Sequence, residues 1–75
     1  MLGRLRVHSG QEVCQILAAE GFAEVRRRGS HIVMQKRLPD TTVTVIVPDH
    51  KELKTGTLSS LIRQSRLARE LFEVP

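Results

Sequence analysis

The sequence predicts an α+β fold in which one helix is followed by three strands and a second helix. This is an α-β-β-β-α sandwich with a three-stranded antiparallel sheet and both helices on one sheet face. Three observations lead there. A serine-led capping box opens an amphipathic stretch near the N-terminus, three runs of strand character follow, and a second apolar stripe at helical spacing begins near Thr57. The connections between the strands are too short for parallel crossovers, which makes the sheet an antiparallel meander. A chain of 75 residues has room for one small core, so residues 1–75 are expected to form a single domain with 1–8 as an N-terminal tail.

Residues 1–7 carry no clear element, although Leu5 and Val7 alternate with Arg4 and Arg6. His8 stands just before the cap and is expected to be solvated there. In Ser9-Gly10-Gln11-Glu12 the serine oxygen can accept from the amide three residues on, while the glutamate reaches back to the serine amide; a helix is predicted over 10–20. Val13, Ile16 and Leu17 give it an apolar stripe, and Gly21 can take the left-handed conformation that ends a helix. Cys14 beside the stripe reads as a small buried filler.

Residues 22–27 suit a first strand, with Ala23 and Val25 on one side and Glu24 and Arg26 on the other. Arg28-Gly29 makes a tight turn into a second strand, 30–36, carrying Ile32, Val33 and Met34. Leu38-Pro39-Asp40 is a loop. The run 42–47, Thr-Val-Thr-Val-Ile-Val, is the strongest strand of the chain, and Pro48 stops it. A loop bearing His50, Lys51 and Lys54 leads to Thr57, the predicted N-cap of a helix built on Leu58, Leu61 and Ile62. Residues 67–72 read as a last turn bringing Leu71 and Phe72 back onto the core, and 74–75 are expected to fray.

Composition narrows the class of function. Twelve basic against eight acidic residues give a formal charge of +4, which suits a polyanion or an acidic protein as partner. Tryptophan and tyrosine are absent and Phe22 and Phe72 are the only aromatics, so the aromatic platforms on which many single-strand readers stack bases are missing. One cysteine makes no internal disulfide and no zinc-like spacing, and neither a metal nor a cofactor is implied. No apolar run has the length of a signal peptide or membrane span; the expected location is the cytoplasm.

The stretch Arg26-Arg27-Arg28-Gly29-Ser30-His31 carries the chemistry. RNA brings its own nucleophile, the 2′-hydroxyl, so a group that removes that proton and cations that stabilise the crowded phosphorus are enough to cut the backbone. A neutral imidazole suits the first task and guanidinium groups the second. Lys54 can add to the cations, and the free amides near Gly56-Thr57 at a helix start can take a phosphate or only water. In isolation such an Arg/Gly/Ser/His string is more commonly a basic hairpin turn whose histidine packs or caps.

The wider pattern adds to that reading. Ser9-Gly10 opening a helix, Gly21-Phe22 ending it, Gly29-Ser30-His31 on a hairpin, Val47-Pro48-Asp49-His50 closing a strand, and Leu53-Lys54-Thr55-Gly56-Thr57-Leu58 leading into Leu61-Ile62-Arg63-Gln64 come in this order. Together they resemble the HicA toxin family of bacterial type II toxin–antitoxin systems, whose fold is double-stranded-RNA-binding-domain-like. The resemblance runs from about Ser9 to Phe72. It implies an mRNA interferase, a small endoribonuclease held in check by a HicB-type antitoxin in a hetero-oligomeric complex. The family's catalytic histidine falls on His31 and its second histidine on His50, in a supporting or substrate-facing role. The residues expected at the RNA are then Arg26, Arg27, Arg28, Gly29, Ser30, Lys54 and Thr57, with the general acid open between His50, a lysine and water. Ser65-Arg66 stands where the family often has a small residue and glycine after the second helix. The alternative is a non-catalytic double-stranded-RNA-binding module that bridges phosphates by shape.

Overall fold

In the computed structural model, which describes residues 4–74, the elements run β1 (Arg4–Leu5), α1 (Gly10–Ala19), β2 (Ala23–Arg28), β3 (His31–Arg37), β4 (Thr42–Pro48) and α2 (Thr55–Ser65). A 3₁₀ turn (Arg69–Phe72) and β5 (Glu73–Val74) follow. The predicted α-β-β-β-α order is present. Its sheet is antiparallel, in the order β2-β3-β4.

Local chemistry sets the start and stop of α1. The Glu12 amide donates to Ser9 Oγ at 3.0 Å and the Ser9 amide donates to Glu12 Oε1 at 2.8 Å, closing both halves of the capping box. The hydrogen bond from the Ser9 amide holds the Glu12 carboxyl below its ordinary pKa. At the other end Gly21 has φ +99°. Its amide donates to the Ala18 carbonyl and the Phe22 amide to the Leu17 carbonyl, the paired bonds of a Schellman motif, and Leu17 and Phe22 are both buried in the core.

Alternation along β4 buries Val43, Val45 and Val47 and exposes Thr42, Thr44 and Ile46. One core cluster joins those valines to Ile32 and Met34 of β3, to Val13 and Leu17 of α1 and to Leu58, Leu61 and Ile62 of α2, which puts both helices on the same sheet face. Among the described residues the opposite face carries no helix.

Several expectations are corrected. His8 is not solvated: it is 2% exposed, its Nε2 lies 3.0 Å from the Phe72 carbonyl oxygen, and its ring meets Phe72 edge-on. The N-terminal segment is not simply a tail, because β1 pairs antiparallel with β5 and the Arg6 amide also donates to the Phe72 carbonyl; the part of that expectation covering residues 1–3 lies outside the described residues. Val74 therefore pairs rather than frays, and Pro75 lies outside the described residues. Phe72 reaches the core as predicted, whereas Leu71 is 43% exposed.

The second helix starts at Thr55, with Lys54 as N-cap and no side-chain cap bond, so Thr57 sits inside its first turn. Tertiary anchoring fixes that start. Leu53 is buried and its amide donates to the His8 carbonyl at 2.8 Å, which settles where the chain leaves the loop before any capping preference acts. At its end Arg66 adopts φ +62°, the left-handed conformation that glycine takes most easily, and buried Ser65 spans the turn by donating to the Ile62 carbonyl and accepting from the Leu67 amide. The helix thus stops there without the glycine.

Candidate nucleic-acid interface

The two-residue loop Gly29-Ser30 joins β2 to β3, with Arg28 paired directly to His31. Gly29 has φ +57° and Ser30 does not share the positive sign, the pattern of a hairpin turn with glycine in its first central position. His31 thus begins β3 at the rim of the sheet.

One extra residue in β2 decides which arginines join it. The register runs Glu24 to Met34 and then Arg26 to Val33, so Val25 is a bulge, 52% exposed and without a partner on β3. Side chains on a strand alternate between faces, and the bulge resets that alternation. Glu24 and Arg27 consequently lie on the helix-covered face, opposite Met34 and Ile32, while Arg26 and Arg28 lie on the open face opposite Val33 and His31. The sequence expectation that Glu24 and Arg26 share a side is overturned by this bulge, because Glu24 pairs with Met34 on the covered face and Arg26 with Val33 on the open one.

Arg27 is engaged elsewhere. Its Nη1 donates to Asp49 Oδ2 at 2.7 Å and its Nη2 lies 3.8 Å from Glu24 Oε1. The hydrogen bond to Asp49 raises the guanidinium pKa above its ordinary value. The Asp49 amide in turn donates to the Ser30 carbonyl at 2.6 Å, so the Arg27–Asp49 pair ties the hairpin to the segment leaving β4. Among the described residues no carboxylate lies within ion-pair distance of Arg26 or Arg28.

The open face forms rows across the strands. Arg28, His31 and Pro48 make one row and Arg26, Val33 and Ile46 the next, about 7 Å away along the strands. Arg26, Arg28, His31, Val33 and Ile46 line a shallow depression of about 440 Å³. His31 is exposed within it.

The remaining candidates stand at the same end of the sheet but outside this depression. Pro48, the partner of His31, leads through Asp49 and His50 toward Lys54 at the start of α2. His50 is exposed, and its carbonyl accepts from the Gly10 amide at 2.8 Å, which brings the start of α1 to that end too. Lys54 is exposed and Thr57 half-buried. Among the described residues no hydrogen bond joins the side chain of His50, Lys54 or Thr57 to His31.

Cys14 lies apart, in a groove of about 280 Å³ between α1 and β2 whose wall includes Phe22, Ile32 and Met34. Burial raises its thiol pKa, so the thiolate is scarcer at neutral pH than for a free cysteine. Alkylation by iodoacetamide is expected to be slower than that of glutathione at equal pH, as measured by mass spectrometry. An equal or faster rate would contradict the protected-thiol reading.

Among the described residues no group of three or more His, Cys, Asp or Glu side chains is placed to hold a metal ion, and no helix is long and apolar enough to cross a membrane. Sequence reasoning missed the roles of Asp49, Val33 and Ile46. The first was visible only as part of a motif; the other two read as ordinary strand residues. A model of the family described as HicA toxin of bacterial toxin-antitoxin matches residues 10–67, a span that includes every candidate named here. No match is found among curated proteins.

Proposed function

The chain belongs to the HicA toxin family of bacterial toxin–antitoxin systems, and from that premise we propose that it is an endoribonuclease cutting mRNA on the open sheet face, with His31 as general base. The observation that carries the reading is the shared depression: an exposed imidazole lies beside two arginines with no acidic partner among the described residues. Phosphate needs cations that are not already neutralised, and Arg26 and Arg28 meet that condition where Arg27 does not.

In the proposed step, neutral His31 accepts the 2′-hydroxyl proton as the 2′-oxygen attacks the adjacent phosphorus. Arg26 and Arg28 stabilise the charge that builds on the non-bridging oxygens. The bond from phosphorus to the 5′-oxygen breaks, leaving a 2′,3′-cyclic phosphate on one product. The departing 5′-oxygen takes a proton from His50, a lysine or water. Lys54 adds positive charge at the same end of the sheet. Arg27 acts through Asp49 by holding the hairpin rather than by touching RNA.

The partner in this reading is a HicB-type antitoxin in a hetero-oligomeric complex in the cytoplasm. An acidic surface laid over the arginines would neutralise them and exclude RNA in a single contact. Inducible expression of wild type against His31→Ala, followed by growth and total-RNA integrity, tests the function. Arrest with RNA degradation is expected only for the wild type. RNA that is bound yet stays intact would instead point to a non-catalytic RNA-binding module.

A further inference from the structure

Ile46 breaks the polar pattern of its strand. The other solvent-facing positions of β4 ahead of Pro48 are Thr42 and Thr44, yet Ile46 is 50% exposed on the same face. Its cross-strand partner Val33 belongs to the open face as well, outside the main core cluster, and is 6% exposed. The two form an apolar floor in the depression that also holds His31, with Arg26 completing their row and Arg28 the next. Phosphates and riboses gain nothing from contact with an aliphatic surface. A nucleobase does, because it has an apolar face to cover.

We propose that Val33 and Ile46 form a base platform: the base of the nucleotide beside the cut lies on Ile46 while His31 faces its ribose and Arg26 and Arg28 take the flanking phosphates. This rests on the nuclease reading and adds a determinant of substrate class. A base held face-down on the sheet has left any duplex, so the site takes unpaired RNA and contacts a base whatever its identity. The chain's two phenylalanines are both buried in the core, which leaves this aliphatic pair and the arginine planes as the stacking surface next to His31. Protein docking is a poorer account of the patch. A stable interface covers about 800 Å² on each partner, whereas a single half-exposed isoleucine over a buried valine matches the footprint of one base.

The test measures RNA affinity in the His31→Ala background, using a fluorescein-labelled single-stranded oligoribonucleotide and a blunt duplex of the same sequence. Ile46→Thr keeps a β-branched residue and copies the neighbouring exposed threonines; circular dichroism checks its fold, and Ile46→Leu serves as the conservative control. Expected is about a fivefold to tenfold loss of single-strand affinity for Ile46→Thr, less than twofold for Ile46→Leu, and less than twofold for either variant on the duplex. Unchanged single-strand affinity, or an equal loss on both RNAs, overturns the proposal. So does retained RNA affinity with lost antitoxin binding, which would assign the patch to a protein interface. Affinity is read without cleavage, so failure of the nuclease reading shows separately, as RNA that the wild-type protein binds and leaves intact.

Discussion

Replacing His31 with alanine is expected to lower RNA cleavage by about 10²–10⁴-fold, the usual range for loss of a positioned general base, without unfolding the chain. The two halves of that expectation have different sources. The activity loss follows from chemistry: with the imidazole gone, water must take the 2′-hydroxyl proton, and the arginines can still bind the phosphate without helping that transfer. Retention of the fold follows from placement. His31 is exposed at the first position of β3, its side chain makes no hydrogen bond among the described residues, and the turn before it depends on Gly29. Circular dichroism and thermal melting should be close to wild type, so that an inactive and folded variant assigns the loss to the ring.

Gly10→Ala is expected to be the more damaging change for the fold, costing about 3 kcal/mol from a domain whose total stability is on the order of 5 kcal/mol. The first residue of α1 is pressed against the end of β4. An added Cβ would collide with the Pro48 carbonyl oxygen and meet the Asp49 Cα and Pro48 carbonyl carbon at 3.0 Å. All three obstacles are backbone atoms, so no side chain can swing aside. Relief would require α1 to lift, which would strain the 2.8 Å hydrogen bond from the Gly10 amide to the His50 carbonyl. Because Pro48 is the cross-strand partner of His31, the displacement would also reach the open face. Urea denaturation checks the magnitude. A midpoint equal to wild type would contradict the account of why glycine stands there.

Much of the fold was legible because its signals are local. The capping box at Ser9, the glycine at the end of α1 and the alternation of β4 each involve residues within a few positions of one another, and each appears as the sequence predicts. What was not legible depends on contacts between distant positions. His8 reads as solvated until β1 and β5 close over it, bringing the Phe72 carbonyl, 64 residues on, to its ring. The cap preference of Thr57 gives way to the anchoring of Leu53 by the His8 backbone.

The candidate site divides in the same way. His31 and its arginines stand out from adjacency alone, but the triple arginine looks uniform in sequence. A bulge at Val25 separates it, because an extra residue reverses which face each following side chain occupies. Val25 fitted a simple alternation, so nothing nearby marked it as the extra residue. Ile46 was hidden for the opposite reason: an isoleucine in a β-branched run looks like core until the register puts it on the bare face.

The most direct test of the central claim, that the ribose supplies the nucleophile and His31 takes its proton, is a single atom change in the substrate. After the cut is mapped on an oligoribonucleotide, a strand identical except for one 2′-deoxynucleotide immediately 5′ of the scissile phosphate is incubated with the wild-type protein. The expected result is no cleavage at that bond, while the unmodified strand gives a 2′,3′-cyclic phosphate terminus. Cleavage of the deoxy-substituted bond at the unmodified rate would contradict the account.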